Sequence, residues 1–101
     1  MEGDLFKSAV LDGWHRRLNA VENVPPCGFR RNTAVYPLVC YVNNIIGCYL
    51  GRNAEPIVLF IQRGREHISQ NLPTEEWRPY YELVSEYFKT MELHLKEHGV
   101  S

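Results

Sequence analysis

A chain of 101 residues, 45% hydrophobic and 23% charged with a formal net charge of −1, has the profile of one ordinary globular domain. That profile argues against disorder, coiled-coil filaments and a general polyanion binder. About two-thirds of the extended chain's surface can be buried at this size, enough for a core without disulfide or metal staples.

The start, Met1-Glu2-Gly3-Asp4, lacks the basic region and unbroken apolar run of a secretory signal. The most apolar stretch, 34–50, is interrupted by Asn43, Asn44 and Gly47 and falls short of the roughly 20 apolar residues that a membrane span requires. These features predict a soluble, cytoplasmic protein with no membrane partner, in which Cys27, Cys40 and Cys48 stay reduced.

Four segments carry the 3.6-residue period of a helix. In the first, Phe6, Val10, Trp14 and Leu18 form an i, i+4 ladder widened by Leu11 and Val21, with Asp4 as N-cap and Pro25-Pro26 as the stop. The second, 34–50, keeps helical spacing through Leu38, Tyr41, Val42, Ile45 and Tyr49, and a helix beginning near Pro37 and stopping at Gly51 is favoured. Its β-branched residues and the Asn43-Asn44 pair also allow a hairpin. In the third, Ile57, Phe60, Ile61, Gly64 and Ile68 share one face, with Asn53 as cap and Pro56 in the first turn. The fourth is the clearest: Thr74 caps it, Glu75 and Glu76 suit its positive end, and Gly99 closes it. Trp77, Tyr80, Tyr81, Val84, Tyr87, Phe88, Met91 and Leu95 line a single face of that helix.

The predicted fold is therefore an all-α, single-domain bundle (residues 1–101) of about four helices at 4–22, 36–50, 54–71 and 74–98. An α+β arrangement with a central β-hairpin is the alternative. The six ladder positions of the first helix and eight of the last offer more apolar face than one small bundle readily covers, which predicts a homodimer joined through like faces.

Chemistry-bearing constellations are few. His94 and His98 stand four apart on the last helix, a spacing that can hold zinc, but no glutamate follows the first histidine and no further ligand cluster is evident. They read as surface histidines suited to a helix C-terminus, and no metal or cofactor is expected. His67 flanks the apolar face of the third helix and reads as a core-edge residue. Cys27 is not placed to be activated, Cys40 and Cys48 lie in apolar sequence, and there is no phosphate loop or nucleophile elbow. The chain is expected to be non-enzymatic, with no catalytic residue.

Charge is polarised along the chain. Seven arginines (16, 17, 30, 31, 52, 63 and 65) face only Glu22 and Glu55 across 14–65, whereas 66–101 holds seven acids against three bases. Such an arginine set is either a nucleic-acid contact or a solvated surface that pairs with the acidic last helix. The most suggestive segment is Pro25-Pro26-Cys27-Gly28-Phe29-Arg30-Arg31, where stiffening prolines precede the residue types that anchor protein interfaces. Phe29, Arg30 and Arg31 are the predicted protein-binding residues. Together these features predict a small regulator that binds and inhibits or modulates another protein, of the kind that restrains a transcription factor, toxin or nuclease. The alternative is a nucleic-acid-associated regulator that uses the central arginines.

Overall fold

The computed structural model describes residues 5–21, 35–72, 75 and 77–100. Four α-helices follow in order: α1 (Ala9–Val21), α2 (Tyr36–Leu50), α3 (Glu55–Gln70) and α4 (Arg78–Glu97), with no strand among the described residues. The molecule is all-α, and the central segment is a helix rather than a hairpin. No helix among the described residues is long and apolar enough to cross a membrane. Cross-helix contacts run in opposite chain directions: Leu5 meets His94 and His15 meets Tyr87 across α1 and α4, Ser8 before α1 meets Tyr49 at the end of α2, and Arg65 meets Glu92 while His67 meets Tyr81 across α3 and α4. This is an up-and-down bundle with principal extents of 44 × 24 × 19 Å.

The spacing that predicts α4 also accounts for its packing. All eight residues of its apolar face are buried, with Val84, Tyr87, Phe88 and Met91 fully so. They meet Leu38, Val42, Ile45 and Tyr49 of α2 and Ile57 and Ile61 of α3 in one shared core. Each such side chain contributes about 2 kcal/mol of transfer free energy before the entropy of ordering it is counted. The face predicted to drive dimerisation is therefore spent inside the protomer. On α1, Leu11 and Leu18 are buried and Trp14 is half-buried, but Val10 remains 63% exposed. The buried stripe runs through Leu11, His15 and Leu18, a neighbouring face that the i, i+4 reading of the apolar residues alone passes over.

The helix ends depart from the sequence reading in instructive ways. Helix α1 begins at Ala9, not at residue 4, because Ser8 acts as its cap: the Leu11 amide donates to Ser8 Oγ at 3.2 Å. Asp4 and Thr74, the predicted caps, lie outside the described residues, as does Pro73. Helix α4 begins at Arg78 with Pro79 in its first turn, and α3 begins at Glu55 after Ala54, with no side-chain cap bond from either preceding residue.

Gly99 closes α4 as expected. Its φ is +81°, with Val100 N donating to Leu95 O at 2.8 Å and Gly99 N to Lys96 O at 3.0 Å, the paired bonds of a Schellman turn. The same pair ends α2, where Asn53 N donates to Cys48 O and Arg52 N to Tyr49 O. There the left-handed residue is Arg52, at φ 60°, and the glycine predicted as the stop, Gly51, sits one position early at φ −84°.

Gly64 is required by packing. A Cβ added to it would lie 2.5 Å from Phe88 Cζ, so any larger residue forces the Phe88 ring or the two helices to shift. At Gly13 and Gly47, also mid-helix, an added Cβ would meet nothing within 4 Å.

Candidate functional site

The predicted binding residues Phe29, Arg30 and Arg31, with Pro25, Pro26 and Cys27, lie outside the described residues. The other sequence candidates can be placed. His94 and His98 stack with ring centroids 4.4 Å apart. His94 Nε2 donates to Leu5 O at 2.6 Å, and His98 Nδ1 donates to His94 O at 2.9 Å. Both rings thus serve to fasten the chain, His94 by tying the segment before α1 to the end of α4. No group of three or more His, Cys, Asp or Glu side chains arranged for a metal ion occurs among the described residues. His67 is half-buried against Tyr81 at 6.5 Å and receives Asn71 Nδ2 at 3.3 Å, the core-edge position expected of it. Cys40 and Cys48 are half-buried thiols.

One buried polar cluster was not legible in sequence. His15 is only 6% exposed and shares a hydrogen bond with Tyr87 at 2.9 Å between Nε2 and Oη. Its ring meets Tyr49 and Tyr87 edge-on at 5.0 and 5.5 Å, while Tyr49 Oη accepts the Ser8 amide at 2.8 Å. Burial holds the His15 pKa below the usual histidine value, with nearby Asp12 pulling the other way, and burial raises the Tyr87 hydroxyl far above the normal phenol range. The cluster is closed by its own rings and ties α1, α2 and α4 together. Its contacts fasten the three helices to one another.

Among the described residues the central arginines form no continuous ion-pair layer with α4. Among the described residues, Arg65 is the central arginine that reaches across, bonding Glu92 at 2.7 Å, and both side chains are more than 40% exposed, so the bridge is worth at most about 1 kcal/mol. Arg17 lies 4.7 Å over the Trp14 ring.

A broad, shallow groove runs between α3 and α4. Beyond the Arg65–Glu92 bridge it widens into a cleft of about 600 Å³ lined by Ile68, Leu72, Tyr81 and Ser85, with Arg78, Glu82 and Glu86 on its rim. A smaller pocket lined by Ile68, Ser85 and Phe88 continues it toward the bridge. Leu72 is 88% exposed, the largest apolar exposure among the described residues. The signal available in sequence was the apolar pair Ile68 and Leu72, four apart at the end of α3, of which only Ile68 was read as part of the helical face.

No protein-family model, curated protein or solved structure matches the chain.

Proposed function

We propose that this protein is a small non-enzymatic regulator that acts by binding another protein, and that the α3–α4 groove takes a helical segment of that partner. The observation that carries the reading is Leu72, left 88% exposed at the mouth of a cleft floored by Ile68 and Tyr81. Two antiparallel helices with an apolar floor between them offer the groove into which a third helix packs its ridge. The rim carries both charge signs, Arg78 against Glu82 and Glu86, which suits an amphipathic helix with an apolar ridge and mixed polar flanks. The same reading takes the working form as a homodimer.

The experiment is a parallel capture with the wild-type chain, Leu72→Glu and Arg16→Ala/Arg17→Ala as baits, each checked for helical content, followed by mapping of the segment bound. Support is a saturable protein partner retained by wild type and by the arginine variant but lost by Leu72→Glu, with a helix as the segment bound. Equal retention by Leu72→Glu overturns the groove. Capture that depends steeply on salt and on Arg16 and Arg17 overturns the protein-binding reading in favour of nucleic acid.

A further inference from the structure

The solvent side of α2 differs from that of every other helix. Between Arg31 and Arg52 the chain has no charged residue at all. The outward positions of α2 are Tyr36, Cys40, Asn43, Asn44, Gly47 and Leu50, of which Tyr36 is 44% and Leu50 72% exposed. By contrast, the outward faces of α1, α3 and α4 carry Asp12 with Arg16, Arg63 with Glu66, and Glu82 with Lys89.

We infer that this face is where two copies of the chain meet, the second copy's α2 lying antiparallel across the first about a two-fold axis that passes between Asn43 and Asn44. The inference rests on the homodimer reading and is independent of the α3–α4 groove.

Three observations favour a second copy over an unrelated occupant. A two-fold axis brings each residue near it against its own counterpart, so a charge there meets a like charge, and a charge-free face is what such an axis demands. The polar residues at the centre are asparagines, whose amides carry both donors and acceptors and so pair with themselves, as aspartate or lysine cannot. Asn44 Nδ2 already donates to Cys40 O at 2.9 Å, which holds its amide in place on the face. The ends also match in the antiparallel sense: with the axis at 43/44, Tyr36 of one copy falls over Leu50 and Gly51 of the other, covering both exposed apolar side chains. Gly47 then falls opposite Cys40, and its open surroundings, unlike those of Gly64, give the protomer itself no reason for a glycine there. Arg52 lies at the edge of this contact, away from its counterpart.

A face one helix long, roughly 22 Å, is at the small end of specific interfaces, so the association is expected in the micromolar to tens of micromolar range.

The cysteines supply a geometric reporter. Cys40 and Cys48 are eight residues apart on one helix, about 12 Å along its axis, too far to bridge within a chain, so any Cys40–Cys48 disulfide joins two chains. The antiparallel geometry brings Cys40 of one copy within one residue of the register of Cys48 of the other, with Cys48 at the flank of the face.

The test is sedimentation velocity from 1 to about 500 μM, concentrations chosen around that expected affinity, on wild type, Asn44→Arg, Gly47→Leu and a control on another face, Val10→Arg. A Cys27→Ser chain is oxidised with diamide in parallel and its disulfides are mapped by peptide mass. The expected result is a concentration-dependent dimer, weakened at least tenfold by Asn44→Arg and by Gly47→Leu but not by Val10→Arg, together with a Cys40–Cys48 interchain link. A wild type that stays monomeric throughout overturns the homodimer reading and this surface with it. A dimer indifferent to Asn44→Arg and Gly47→Leu leaves the homodimer standing and overturns its placement on α2. Links confined to Cys40–Cys40 or Cys48–Cys48 overturn the antiparallel arrangement. Unchanged helical circular dichroism in each variant separates loss of contact from loss of fold.

Discussion

Replacing Gly64 with alanine tests the packing of α3 against α4, and its cost can be worked out from the geometry. The new Cβ would lie 2.5 Å from Phe88 Cζ and 2.6 Å from Cε2, with Leu38 Cδ1 at 3.7 Å behind. Carbon atoms pack at about 3.5–4.0 Å, so the ring must retreat by about 1 Å. Phe88 and Leu38 are both fully buried, so the ring can retreat only by repacking toward the small pocket that Phe88 lines with Ile68 and Ser85. Overpacking of this kind costs about 1–3 kcal/mol. Alanine recovers about 1 kcal/mol of helix propensity over glycine, leaving a net loss of up to about 2 kcal/mol. In a chain of this length that is a fall in melting temperature of up to about 16 °C. Gly13→Ala is the internal control: nothing lies within 4 Å of its Cβ position, so only the propensity gain remains, about 0.5–1 kcal/mol of stabilisation. Urea denaturation followed by circular dichroism at the helical band reads both. Trimming the ring in the double variant Gly64→Ala/Phe88→Leu should cost less than the two single changes summed. If Gly64→Ala is stabilised as much as Gly13→Ala, the close approach of α3 to α4 at Phe88 is wrong.

The remaining predictions concern the ends and the buried polar cluster. Arg52→Gly should be more stable than Arg52→Ala by about 0.5–1 kcal/mol, because both lose the same side chain and glycine alone escapes the steric cost of the left-handed position at the α2 Schellman turn; chemical denaturation of the two variants reads it, and an alanine variant as stable as the glycine one would contradict that turn. Tyr87→Phe should cost about 1–3 kcal/mol by leaving His15 Nε2 without its hydrogen bond in a buried site, seen as a lower urea midpoint with an unchanged slope. Because His15 has a folded pKa below the unfolded value near 6.5, the unfolded state takes up the proton first as pH falls. Its contribution is complete above that pH and is lost progressively below it. Stability should therefore rise with pH from about 5 to 7, and His15→Leu should flatten that rise. An unflattened profile would assign the pH dependence to other groups.

How much of this was legible in sequence follows from what each residue's environment required. The bounds of α2 and the whole buried face of α4 were readable, because large side chains at helical spacing have only one way to share a core. Tyr80, Tyr81, Tyr87 and Phe88 fell where their period put them. The hairpin alternative for 34–50 lost because six of its residues, from Leu38 to Tyr49, bury at helical spacing against α1, α3 and α4. His15 was missed because an apolar ladder gives a histidine no weight. Only the tertiary pairing with Tyr87, 72 residues away, makes it a core residue. The groove was missed for a related reason: Leu72 follows the end of α3, and its exposure at the cleft mouth depends on where α4 comes to rest. The dimer expectation drew on faces that the protomer buries for itself. Apolar count pointed to α1 and α4, whereas the outward side that needs explaining is the charge-free side of α2.

Hydrogen–deuterium exchange of the chain alone and in complex with its captured partner tests the central functional claim most directly. Engagement of the α3–α4 groove predicts new protection concentrated in 65–72 and 78–89, with amides of α2 unchanged by the partner. Protection confined to other segments, with the α3–α4 groove exchanging as in the free chain, would contradict it.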